Sequence, residues 1–243
     1  MSELERIEQL EKEIRELKGL NDEGIPTYSF SQIWLEELES LVDIEENIHK
    51  EKVFKEWFKN EIILSDKEVL FLVNLIEKNK FLVNYYHKED LKAKYVIPIL
   101  HEVDFLSYES EIRDFYGAEL VYKRDDFIFN GTLDCVMSKG LFESQKSYFL
   151  LAISPRYTDP EPQLLAELIS AIELNNDISM RGAYIVGAIW NFVILEKLSK
   201  DKYQYFVSEN YDSSKIGDLK GIYRNLVFVK EEIVERVKKE NAV

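Results

Sequence analysis

FIFNGTLDCVMSKGLFESQKSYFLLAISPRYTDPEPQLLA, residues 127–166, is the stretch whose reading decides the fold. Its opening is apolar and aromatic, and Gly131-Thr132-Leu133 leads into Asp134, so the segment reads as a buried strand with a carboxylate in it. Tyr148 to Ile153 is an apolar run too short for a typical helix and bounded by polar residues, which predicts a central strand covered on both faces. Ser138-Lys139-Gly140 and Glu143-Ser144-Gln145-Lys146 form the polar hairpin loop between the two. Asp159-Pro160 then opens a helix whose Leu164, Leu165, Leu168, Ile169 and Ile172 make a face for the sheet, ending near Asn175-Asn176-Asp177.

Downstream, Ala183 to Leu195 predicts two pairing strands or one bent strand, broken at Gly187, with Trp190 as a core residue. Tyr203 to Val207 reads as a short strand. A final helix from about Lys215 repeats Ile216, Leu219, Ile222, Leu226, Val229, Ile233 and Val237 on one side. Upstream, Lys123-Arg124-Asp125-Asp126 is a turn, Glu119 to Tyr122 a strand and Glu109 to Tyr116 a short helix. Residues 87–102 alternate charge with an apolar face, and Pro98 is expected to bend or end that helix.

Further toward the N-terminus the pattern is helical throughout 30–79. Its stripes are Ile33, Trp34, Leu38 and Leu41, then Val53, Phe54, Trp57 and Phe58, then a helix from Ser65 with Glu68 placed for a capping box. Gly24-Ile25-Pro26-Thr27 reads as a linker. Residues 1–20 set Ile7, Leu10, Ile14 and Leu17 at alternating spacings of three and four among charges, an a/d seam that suits a coiled-coil helix and self-association. The expected organisation is thus an amphipathic helix at 1–20, a helical region at 30–86 and a principal domain at 87–240.

Three motifs in order, Gly-x-x-Asp on a strand, an apolar strand ending before Pro155, and Asp-Pro-x-x-Gln-Leu-Leu-Ala at a helix mouth, resemble the PD-(D/E)XK nuclease superfamily, and most of all its uncharacterised bacterial members. Gly131, Asp134, Pro155, Asp159, Pro160, Gln163, Leu164, Leu165 and Ala166 carry the resemblance, with Gly187 and Trp190 similar to the next strand pair. It implies a restriction-endonuclease-like α/β (α+β) core, a mixed central sheet flanked by helices. It also implies a divalent metal such as Mg2+ between carboxylates, a lysine that activates water, and nucleic acid as partner. Asp134 matches the metal ligand, and Glu89 is similar to the acidic residue that the family's first helix turns toward the metal. Arg156, Gln163 and Lys139 are the residues placed to touch nucleic acid.

The departure from the pattern is chemical. Counting back from Pro155, the Glu of the Glu-x-Lys pair falls on Ala152 and its Lys on Ser154. A methyl group offers no ligand atom, whereas a hard cation such as Mg2+ needs oxygen ligands in near-octahedral array. The resemblance therefore implies a degenerate site without nuclease chemistry and with no cofactor, acting by binding nucleic acid or protein. The alternatives are an active Mg-dependent nuclease in which Glu89, Asp159 or Glu161 replaces the lost glutamate and Arg156 or Lys139 the lysine, and an oligomeric assembly protein.

Composition narrows the rest. A chain of 243 residues, 46% hydrophobic and 13% aromatic, can build a substantial core. Its net charge of −15 opposes strong nonspecific DNA binding, which rests on Lys and Arg against phosphates. The single cysteine, Cys135, reads as a small buried hydrophobe and excludes a disulfide within one chain. With no secretory pattern and no apolar run near the roughly 20 residues of a membrane span, the expectation is a cytoplasmic protein off the membrane, assembled as a homo-oligomer. His49, His87 and His101 lack zinc spacing, and no phosphate loop, dinucleotide fingerprint or nucleophile elbow occurs.

Overall fold

The computed structural model describes Arg6 and residues 24–50, 52–155 and 158–241. In chain order its N-terminal elements are β1 (Thr27–Ser29), α1 (Leu35–Leu41), β2 (Asp43–Glu46), α2 (Lys55–Phe58), α3 (Asp66–Asn79), α4 (Lys88–Leu91) and α5 (Ile97–Val103). There follow β3 (Ile112–Phe115), β4 (Glu119–Lys123), β5 (Ile128–Thr132), β6 (Cys135–Lys139), β7 (Lys146–Ser154) and α6 (Glu161–Asn175). The chain closes with β8 (Ser179–Val186), β9 (Ile189–Ser199), β10 (Lys202–Val207), β11 (Tyr211–Asp212) and α7 (Ile216–Asn241). The coiled-coil reading of residues 1–20 lies outside the described residues, Arg6 apart.

The large sheet runs β2-β10-β9-β8-β7-β6-β3, with β11 added on β9. At its centre β7 pairs antiparallel with β6 and parallel with β8, so α6 is the crossover between two parallel strands. This is the mixed sheet flanked by helices that the motif order implies. Alternation along β7 divides the interior in two. Phe149, Leu151 and Ile153 join Trp57, Phe192, Leu226 and Val229 in the core under α7. Leu150 and Ala152 join Phe129, Leu164 and Leu168 in the core under α6. A strand buried on both faces has no polar side to alternate with, which is why β7 reads as a continuous apolar run.

The helix ends follow local chemistry. Ser65 caps α3, accepting from the Glu68 N–H while the Glu68 carboxylate accepts from the Ser65 N–H. Asn176, in the left-handed conformation, ends α6. Before Pro98 the chain widens into a π-helical stretch, Lys92–Val96, where the Ile97 N–H donates to the Lys92 carbonyl. The wider turn absorbs the proline, and α4 runs on into α5 rather than ending there.

Three expectations are corrected. Glu109 to Tyr116 is not helical: β3 pairs antiparallel with β6, with Ile112 and Phe115 turned inward. Residues 43–46 leave the helical region as β2, parallel to β10, because only Ile44 of Asp-Ile-Glu-Glu is buried and one inward residue in four suits an edge strand. The strand expected to carry Asp134 divides into β5, which belongs to a small sheet in the order β1-β5-β4, and β6 of the large sheet. Gly131 lies near this passage with φ +151, and a Cβ there would stand 2.9 Å from Phe30 Cδ2. Phe30, Leu38 and Ile44 share the core of α6, and Trp57, Leu72 and Leu75 that of α7. No helix among the described residues is long and apolar enough to cross a membrane.

Candidate functional site

Asp134 occupies the step between β5 and β6, beside the last residues of β7. Its side chain is 7% exposed, and both oxygens are engaged. Oδ2 accepts the Ile153 N–H at 2.8 Å, and Oδ1 lies 2.7 Å from Lys88 Nζ. Lys88 is the first residue of α4, so the helix start delivers an ammonium against the motif carboxylate. A backbone donor and a cation together satisfy a buried carboxylate that would otherwise cost several kcal/mol to hold away from water.

The second acid of the site comes from α6. Glu167 is fully buried, one turn after Gln163, whose Nε2 donates to Glu167 Oε1 at 2.8 Å. Burial pushes the Glu167 carboxyl up to about 8; Asp134 adds to the rise, while Gln163 and the Lys88 ammonium oppose it. Glu167 is therefore mainly protonated at neutral pH, and its Oε2 has no hydrogen-bond partner. The Lys88–Asp134 and Gln163–Glu167 pairs are thus near enough for the charges of the first to act on Glu167. Ala152 and Ser154 are buried on β7 beside Asp134, and the Ser154 carbonyl accepts the Gly187 N–H.

The other residues singled out from sequence lie elsewhere. Glu89 is exposed, although its neighbour Lys88 reaches the carboxylate. Lys139 stands at the far end of β6, roughly 15 Å along the strand by its rise per residue, with Nζ on Asn241 Oδ1. Asp159 is exposed and accepts the Glu161 N–H at the start of α6. Glu161 accepts from the Tyr184 and Tyr205 hydroxyls, which hold it over β8 and β10. Arg156 lies outside the described residues. Cys135 is wholly buried, and burial raises its thiol well above the usual range.

Sequence reading overlooked Lys88 and Glu167. Lys88 carries no signal beyond its place at a helix start. Glu167 does carry one, because a single acid among Leu164, Leu165, Ala166, Leu168 and Ile169 sits on the face that must pack.

These residues do not fit a hydrolytic Mg2+. Asp134 already holds an ammonium, and among the described residues no three histidine, cysteine or acidic side chains form a metal-holding group. A cation of that kind takes six oxygens, with carboxylates among them.

No protein-family model and no curated protein matches this sequence. Among solved structures, the DNA complex of DrdV seen by electron cryomicroscopy is similar over 66% of this chain, at a TM-score of 0.40 and 10% identity. This chain spans 14% of that one, and the likeness is too slight to bear on function.

Proposed function

We propose that this chain is a nuclease-like fold whose sheet-edge metal centre has become an internal ion pair, and that it works by binding nucleic acid rather than by cleaving it. The observation that carries this reading is Lys88 Nζ at 2.7 Å from Asp134 Oδ1. The ammonium neutralises the one motif carboxylate left, at the point where the implied chemistry would need a divalent cation. Ala152 removes the second ligand and Ser154 the activating lysine. Nucleic acid is the partner implied by the order of the motifs.

A second reading is favoured by the bare Oε2 of Glu167: ionised, that carboxylate could share a cation with Asp134 while Lys88 orients a water. The two readings differ in a direct assay. Single- and double-stranded DNA and RNA incubated with the protein in Mg2+ or Mn2+ stay intact under the binding reading. Cleavage by the wild type that disappears in Asp134→Ala would overturn it in favour of the active one.

A further inference from the structure

At the same end of the large sheet as Asp134, but on β10 and β11, lies a second feature of different chemistry. The C-terminal ends of β7, β8 and β10 point the same way, and β10 is three strands from β7, about 14 Å at ordinary strand spacing. There the turn of α2 packs over the β10–β11 connection and leaves a cleft of about 260 Å³. Its walls are aromatic. Phe54 and Phe58 stack with centroids 4.7 Å apart, and Phe58 meets Tyr211 edge-on at 5.5 Å. Phe58 and Tyr211 are only partly buried, so ring surface reaches the cleft.

Its rim is cationic in a chain of net charge −15. Lys50, Lys55 and Lys59 line it, and Lys55 and Lys59 are exposed and one helical turn apart, on one face. The acid in the lining is Glu209, 3.1 Å from Lys50; its side chain is 88% exposed, and so solvated a pair leaves the lysine charge largely available. The cleft is smaller than the roughly 300–1,000 Å³ of pockets for drug-sized ligands, so it suits one planar ring system with its charges outside on the rim.

From this juxtaposition of aromatic wall and lysine rim, we infer that the cleft holds an unstacked base of a single-stranded nucleic acid, with neighbouring phosphates on Lys55 and Lys59. The inference rests on the binding reading above and deepens it. Single strands are favoured because a duplex keeps its base faces stacked, whereas a loose base offers a π-face to Phe58. Paired lysines one turn apart suit the successive charges of a polyanion.

The test uses the full chain and a labelled single-stranded oligonucleotide of about 12 nucleotides, with its duplex as comparison, by fluorescence anisotropy over a salt series. The single strand should bind more tightly than the duplex. Lys55→Glu with Lys59→Glu, both on the surface, should weaken it about tenfold or more and flatten the log–log salt slope by about 1.4. Phe58→Leu, which keeps the packing apolar but removes the ring face, should weaken it about fivefold or more. Binding of the single strand untouched by the lysine pair would overturn the cleft while leaving the binding reading in place. Preference for the duplex, or capture of an acidic tyrosine-bearing peptide with no oligonucleotide bound, would overturn the cleft proposal as well. Cleavage of the oligonucleotide would instead strike the noncatalytic reading.

Discussion

Glu167→Gln gives the sharpest test of how the site is built. The substitution is nearly isosteric and keeps an oxygen to accept from Gln163 Nε2, so packing and that hydrogen bond persist. What changes is titration. The Glu167 carboxyl rises from an ordinary 4.5 to about 8, first by burial and then by the Asp134 charge. A folded-state value above the unfolded one means that the native protein holds a proton the unfolded chain has lost. Stability from this group is therefore complete below about pH 4.5, falls as pH rises, and is gone above about pH 8. At about 1.4 kcal/mol per pH unit over that window, the loss reaches a ceiling of about 5 kcal/mol.

Glutamine cannot ionise, so the variant escapes this loss. Urea unfolding of both proteins from pH 4 to 9 should show the difference between them smallest at the acid end, within about 1 kcal/mol. The variant should gain steadily and lead by about 2–5 kcal/mol at the alkaline end. Taking the difference between the proteins cancels other titrating groups, including Glu161, whose carboxyl is also raised by burial. A difference that stays flat across the series would refute the burial of a raised Glu167 carboxyl.

Lys88→Met should destabilise the protein by about 1–3 kcal/mol in urea unfolding, less than for a fully buried pair because the lysine side chain is 35% exposed. With Asp134→Asn it should form a double-mutant cycle with a coupling of about 1 kcal/mol or more, and strict additivity would deny the pair. Gly131→Ala should cost about 2–4 kcal/mol from its positive φ and the approach to Phe30, visible as a lowered urea midpoint; an unchanged midpoint would show that the backbone relaxes there freely.

The elements legible in the sequence are those whose pattern is local. The apolar run of β7, the face of α6, the break at Gly187 between β8 and β9 and the periodic stripe of α7 each repeat with the period of the structure they form. Where reading failed, the element owes its form to a distant partner. Ile112 to Phe115 looks helical in isolation and is a strand because β6 offers it an edge. Residues 43–46 have little strand pattern and are drawn in by β10. Residues 127–137 look like one strand, and only the presence of two sheets divides them.

By itself the sequence determined which side chains stand at three positions, a carboxylate at 134, a methyl at 152 and a hydroxyl at 154, since side-chain identity is written in the chain. Tertiary structure alone decided what that carboxylate faces. Lys88 stands far away in sequence and meets it only because α4 begins over the end of β7, and Glu167 is neutral only because α6 buries it against the sheet. Charge pairing and desolvation depend on distances in space, and those distances belong to the fold rather than to the order of residues.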